Sequence, residues 1–369
     1  MKILVACDSF KGSFSSAKAG DIIRSGFTEG GLPNVEVCPV SDGGDGFGSV
    51  IARAEGAEKR TAKVKDAFFG ETEAEYHIIN GDAYIESARA CGLRFGKDVM
   101  RATTYGVGQL IYSAAVNGAK NIYVGLGGSG TNDGGCGMAC ALGVKFYSDY
   151  SFIPTGRNLR EIKRIDTSSL FPILKNTNVF ACTDVDTPFY GKDGAALIFS
   201  RQKGATAEEA LRLDDGMKHL ASLLSVDVNS LPGSGAAGGL GGGIAAFLGG
   251  KIVFGFDVIE RLVGLEEKVA KADIVITGEG RTDFQTAHGK LPARVAQLCK
   301  AHRKPCYIIS GSVKGDVSPL ADMGVSGIFA SYAESPAQID KEDAERRLRA
   351  VAYKAAESIK GSMYFSDDH

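Results

Sequence analysis

The hydrophobic and polar positions of this chain change period several times along its length. Residues 2–7 form a short apolar run, and residues 15–29 carry apolar side chains at helical spacing. A second apolar run, 35–40, leads through a glycine turn into a short helical pattern over 47–54. Toward the C-terminus, 272–277, 305–310 and 325–330 predict buried strands, whereas 291–302 and 342–359 predict helices. Strands that alternate with helices predict a parallel, helix-covered sheet.

The middle of the chain differs. Residues 61–64, 71–79 and 83–87 predict strands joined by turns at Phe69-Gly70 and Asn80-Gly81-Asp82, and Asn-Gly is a strong hairpin signal. Residues 103–117 predict a helix, and 121–126, 171–183 and 195–199 predict further strands. The expectation is two α/β domains: one from residues 1–60 and 262–369, and a mixed α/β domain, 61–261, inserted into it.

Composition narrows the function classes. Hydrophobic residues are 44% and charged residues 23%, as in ordinary globular proteins. A net charge of -2 favours neither nucleic acid nor a membrane surface. No apolar run approaches the roughly 20 residues that span a bilayer. The opening apolar run is too short for a signal-peptide core. The 8 cysteines contain no Cys-x-x-Cys, and Cys136 with Cys140 do not make a zinc site. Buried, reduced thiols and a cytoplasmic location are expected. Glycine is the outlier, with 49 residues among 369. That share is almost twice the usual value of about 7%.

Eleven of the 49 glycines sit in four clusters where predicted strands run out: 8–12 (Asp-Ser-Phe-Lys-Gly), 41–46 (Ser-Asp-Gly-Gly-Asp-Gly), 127–135 (Gly-Gly-Ser-Gly-Thr-Asn-Asp-Gly-Gly) and 278–283 (Gly-Glu-Gly-Arg-Thr-Asp). Glycine turns bring backbone N–H groups close to a ligand, and carboxylates beside them hold a metal or move a proton. Asp8 suits a base or metal ligand, and Lys11 can neutralise a phosphate or carboxylate. Asp42 and Asp45 in one turn suit Mg²⁺ or substrate hydroxyls. Arg281 offers a fork of donors to an anion, and Glu279 and Asp283 suit metal or base roles. Thr183-Asp184 ends another strand. Residues 125–130 match Gly-x-Gly-x-x-Gly, but Gly134-Gly135 follow where a dinucleotide fold would be in mid-helix, so a phosphate-cradling loop fits better. The glycine run 233–243 precedes a helical 244–248 and is a second anion candidate, with close helix packing as the alternative. No P-loop, protein-kinase or nucleophile-elbow motif occurs.

These motifs resemble, in order and nearly end to end, the bacterial glycerate kinases. The match rests on 8–13, 42–46, 127–135, 183–185, 202–204 (Gln-Lys-Gly), 235–241 and 278–281 with Asp283, Gln285-Thr286 and Gly289-Lys290. The resemblance implies a flavodoxin-like domain with a second α/β domain inserted, and ATP, Mg²⁺ and D-glycerate as ligands. It implies 2-phosphoglycerate as product, with the 3-phosphate as alternative. The expected catalytic residues are Asp8, Lys11, Asp42 and Arg281, with Asp8 or Asp42 as the proton acceptor. Substrate contacts add Ser9, Gly43, Gly44 and Asp45. ATP contacts are Gly127, Gly128, Ser129, Thr131, Asn132, Gly235, Gly238, Gly239 and Lys290, and metal ligands are Asp133, Asp184, Glu279 and Asp283. Small molecules are the expected partners, with a homo-oligomer left open. Departures from the family pattern are Ser41, Asp45-Gly46-Phe47, Thr187-Pro188 and Ser200-Arg201; they bear on substrate preference. A nicotinamide-dependent hydroxy-acid dehydrogenase and a non-catalytic glycerate-binding protein are the rival readings.

Overall fold

The computed structural model describes residues 1–44, 46–332 and 340–364, with the backbone alone at 288 and 362–364. The chain groups into two compact units, Met1–Asp42 with Ile259–His369, and Gly43–Val258. Residues 43–60, which the sequence pattern assigns to the terminal domain, group here with the inserted unit.

The first unit carries β1 (Ile3–Val5), β2 (Val35–Val37), β3 (Ile274–Asp283), β4 (Cys306–Lys314) and β5 (Val325–Tyr332). All pair in parallel, in the order 5-4-3-1-2. This is the flavodoxin-like order, and its switch point lies between β1 and β3. Ile3, Val5, Ile274 and Ile276 share one core with Ile23 and Phe27 of the helix Ser16–Glu29 and Leu348 and Ile359 of the helix Lys341–Tyr364. Ile308 and Leu320 join Ala293 of the helix Leu291–Ala301 in another core. Each such large aliphatic side chain contributes about 1.5–3 kcal/mol relative to exposure. Ser15 caps the Ser16–Glu29 helix by accepting from the Lys18 N–H at 3.3 Å.

The second unit has a six-stranded sheet among the described residues. Lys251–Val253, Asn178–Cys182, Asn121–Gly125 and Asp82–Glu86 run parallel, and Glu71–Ile79 and Glu58–Lys65 continue antiparallel. Asn80 and Gly81 both adopt positive φ at the predicted hairpin turn. A small antiparallel sheet pairs Lys145–Tyr147 with Ser151–Phe152 and Arg164–Asp166.

Three local expectations are corrected. Ala195–Phe199 is a helix, not a strand. A short apolar run carries no period of its own, and its two alanines favour helix once Gly194 ends the preceding loop. Pro172–Asn176 is a 3₁₀ turn, because proline cannot donate to a sheet ladder, and the strand starts only at Asn178. The 278–283 cluster does not follow a strand but belongs to β3, paired with Ile309–Lys314 of β4. A Cβ at Gly278 would lie 2.1 Å from the Ile309 carbonyl oxygen, so glycine there serves close strand approach.

The helices Ser16–Glu29 and Lys341–Tyr364 meet at Gly26, where a Cβ would stand 2.5 Å from the Arg349 carbonyl oxygen and 2.7 Å from the Ala352 Cβ. Gly26→Ala should therefore lower stability by about 1–3 kcal/mol through overpacking. Gly361→Ala, with nothing within 4 Å of its Cβ, should not lower it. Urea midpoints of the two variants check this contrast.

Candidate functional site

β1 ends in a tight loop. Phe10 and Phe14 exchange N–H···O bonds of 2.9 Å in both directions, and Gly12 turns the tip at φ 83. The loop exposes Lys11 and brings Phe10 and Phe14 together. Buried Ser16 donates to the Cys7 carbonyl at 2.6 Å and accepts from the Val40 N–H at 3.0 Å. One hydroxyl thus ties the loop after β1, which carries Asp8, to the segment after β2, which carries Asp42. The Asp8 N–H continues the ladder to the Gly278 carbonyl at 2.8 Å.

Asp8, Ser9, Lys11, Asp42, Glu279, Arg281 and Lys290 all line one cavity of about 310 Å³ in the first unit. It sits at the carboxyl ends of β1 and β3, where open α/β sheets bind ligands. Burial and then the neighbouring Asp42 charge push the Asp8 carboxyl up to about 8, against the pull of the Ser9 N–H and Lys11. Burial also raises Glu279, opposed by the Thr286 hydroxyl, which donates to its Oε1 at 2.6 Å. Asp283 behaves differently. Burial alone would raise it, but Lys290 at 3.4 Å, the Gln285 N–H and Arg281 at 3.3 Å hold it below the ordinary carboxylate value. It anchors two cations.

In the second unit, the strand Asn121–Gly125 feeds the 127–135 loop, and the next helix begins only at Cys136. A dinucleotide motif needs its helix earlier, so this geometry is a loop rather than a nicotinamide fingerprint. Gly127 and Gly128 are half-buried, and Ser129, Thr131, Asn132 and Asp133 are buried. Both amide atoms of Asn132 lack a hydrogen-bond partner among the described residues, although the residue is fully buried. Beneath the loop lies Lys203, also buried, whose ammonium donates to the Thr131 carbonyl at 2.8 Å and the Ser129 hydroxyl at 3.3 Å. Burial lowers its pKa to about 8, against the pull of Cys91 and Asp133.

Several expected roles do not fit their surroundings. The Asp133 carboxylate accepts from the Thr104 N–H at 2.7 Å, the Thr104 hydroxyl at 2.9 Å, and the Gly135 and Gly137 N–H groups at 3.1 and 3.2 Å. Both oxygens organise the loop from the interior, which leaves no face for a metal. Gly235, Gly238 and Gly239 are spacers, not a phosphate cradle. Their Cβ positions would fall 2.1 Å from the Pro188 oxygen, 2.0 Å from the Thr131 oxygen and 2.4 Å from the Met217 methyl. Asp184 accepts from the Phe256 N–H at 3.1 Å and Gly43 packs at the Gly255 Cα, both within the second unit. Gly44 is half-buried in the same unit, and Asp45 lies outside the described residues. Of the four expected metal ligands, Glu279 alone lines the cavity. Among the described residues no three His, Cys, Asp or Glu side chains form a ready metal site. Mg²⁺ needs only one or two carboxylates when phosphates complete its shell, and the crowding of Asp8, Asp42 and Glu279 on one cavity suits such a cation.

Sequence reasoning missed Thr286 and Lys203 as site-building residues. Both stood inside motifs, but a hydroxyl or lysine in a polar run carries no mark of burial. All cysteines among the described residues are free, and all but Cys140 are buried. No helix of the described residues is long and apolar enough to cross a membrane.

The sequence profile of the Glycerate kinase family matches residues 3–360. The chain is 39% identical to the glycerate 2-kinase of Escherichia coli K12, over 89% of this chain and 90% of that one. It is 36% identical to the glycerate kinase of Halalkalibacterium halodurans, with 97% of each chain covered. A crystal structure from Salmonella typhimurium LT2 that bears the assignment glycerate kinase 2 superposes with a TM-score of 0.81 at 34% identity, covering 99% of both chains.

The buried ammonium makes a stability prediction. The folded value of Lys203, about 8, lies below the ordinary 10.5, so between them the folded state holds fewer protons than the unfolded chain. Stability contributed by this group therefore rises with pH across that window. The difference in unfolding free energy between wild type and Lys203→Met should shift toward the wild type as pH climbs from about 8 to 10.5. Urea titrations of both proteins across the window measure it; a pH-independent difference would contradict it.

Proposed function

The chain belongs to the glycerate kinase family, and we propose that it transfers the γ-phosphoryl group of ATP to D-glycerate, giving 2-phosphoglycerate and ADP. The observation that carries this reading is the convergence of Lys11, Arg281, Lys290, Asp8, Asp42 and Glu279 on one cavity at the sheet's switch point. Phosphoryl transfer asks little covalent chemistry of a protein. It asks for positioning and for neutralised charge.

The cations and carboxylates divide that work. Lys11, exposed at its loop tip, and Arg281, steered by Asp283, neutralise the anionic groups of the reactants. Asp8 or Asp42 accepts the proton of the attacking hydroxyl. Glu279, with whichever of Asp8 and Asp42 is not the base, would hold Mg²⁺, which would supply charge neutralisation on the phosphates. Thr286 orients Glu279 through its 2.6 Å bond. The name of the Escherichia coli relative supports the 2-position as the site of transfer.

A coupled ADP-release assay with D-glycerate, ATP and Mg²⁺ should show turnover, with the 2-phosphate resolved as product. Lys11→Ala and Asp42→Asn should each lower kcat by about 100-fold or more while leaving the melting temperature close to wild type. Absence of glycerate-dependent ADP release, or release of the 3-phosphate alone, would overturn the corresponding part of the proposal.

A further inference from the structure

The same cavity has a second character that charge does not explain. Beside its ionic residues it is walled by Phe10, Phe14, Tyr332, Ala344 and Leu348. Phe10, Ala344 and Leu348 are buried, and Phe14 and Tyr332 are half-buried. The Tyr332 ring is fixed from two sides: its hydroxyl donates to Asp343 at 3.3 Å, and the Arg347 guanidinium lies 4.8 Å from its centroid. The hydroxyls of Ser9 and Ser331, which also line the cavity, are buried with no hydrogen-bond partner among the described residues. The site therefore joins an aromatic and aliphatic wall, two unsatisfied hydroxyls and three cations in a single space.

Glycerate is a three-carbon acid with a polar group on every carbon. Nothing in it would gain from two phenylalanines and a leucine. The other reactant of the proposed reaction does have a flat, largely apolar part. Adenine gains from apolar walls and aromatic faces, and its ring nitrogens and amino group seek hydrogen-bond partners.

We propose that the apolar half of this cavity seats the adenine base of ATP, with Lys11, Arg281 and Lys290 beside it for the phosphates. This rests on the ATP-dependent kinase reading and assigns the nucleotide to the first unit. A second cavity, of about 480 Å³ and also largely apolar, lies in the second unit around Val185, Leu231, Ile252 and Phe254. It serves the base less well. Among the described residues its lining pairs one cation, Lys251, with the carboxylate residue Asp186. A nucleotide needs its base seat to be continuous with charge for the phosphates, and the first cavity has that continuity.

The test uses the full chain. Ala344→Phe fills the apolar half, and Phe14→Ala removes one wall without adding bulk, so a folding failure of the first leaves the second. Phe254→Ala probes the other cavity. Calorimetric titration with MgADP and with Mg-pyrophosphate separates the base from the phosphates. Wild type should bind MgADP at least about tenfold more tightly than Mg-pyrophosphate. Ala344→Phe and Phe14→Ala should close that gap and raise the KM for ATP about tenfold, with the KM for glycerate within about twofold of wild type. A rise in the glycerate KM with MgADP affinity unchanged would overturn the proposal, as would loss of MgADP affinity in Phe254→Ala but not in Phe14→Ala. A wild type that binds MgADP in this pattern yet releases no ADP with glycerate would sink the kinase reading and leave the base seat standing.

Discussion

The site depends on the parallel pairing of β1 with β3. Ile3, Leu4 and Val5 face Ile274, Val275 and Ile276 in register, which joins the two segments of the first unit in adjacent strands. In a doubly wound sheet the loops after two such strands diverge to opposite faces, and a crevice opens between them. Everything charged in the cavity hangs on that crevice. Asp8 leaves β1 immediately beside it, and Glu279 lies on the part of β3 that runs past the end of β1. A slip of one residue in this register would turn Glu279 to the other face of the sheet, because side chains alternate along a strand. The Ser16 hydroxyl extends the same logic to Asp42, by holding the ends of β1 and β2 together.

Placing three carboxylates around a partly buried space is unfavourable in isolation. Asp8 shows the strain as a carboxyl pushed up to about 8 by burial and by Asp42, and Glu279 is raised as well. Each would be more stable in water. Opposite charge brought near them favours their ionised form. Asp283 illustrates the complementary device. It stays ionised because Lys290 and Arg281 surround it, and in return it fixes where those two cations stand.

Much of this fold was legible in the sequence. The strand–helix alternation at both ends, the Asn80-Gly81 hairpin and the four glycine clusters all carry local signals of period or turn chemistry. Misreadings arose where the deciding partner is distant. Residues 278–283 look like a loop because glycine and charge dominate, yet β4 offers a full ladder for them. Asp133 looks like a ligand because it stands among glycines, yet Thr104, from another element, takes both of its oxygens. The apolar wall was invisible for the same reason. Phe10 and Phe14 sit in a polar motif, and Ala344 and Leu348 sit in an ordinary amphipathic helix. Only the fold shows that they line one space.

The excess of glycine has two physical sources, and the clusters mix them. At Gly12 the backbone must turn through positive φ, and no contact is involved. In the second unit the cause is mainly contact of backbone with backbone. A Cβ at Gly243 would lie 2.6 Å from the Gly134 carbonyl oxygen and 2.8 Å from the Gly135 Cα, and the Gly134 N–H donates to the Gly238 carbonyl at 3.0 Å. Two glycine-rich segments thus lock together without side chains between them. The consequence for function is indirect. A loop built this way has little room to shift, so Asn132 is held with both amide atoms unsatisfied, and Lys203 supports the loop from below through Thr131. Burying an amide without partners costs about 1–3 kcal/mol. Packing of this tightness is what allows the loop to carry that cost.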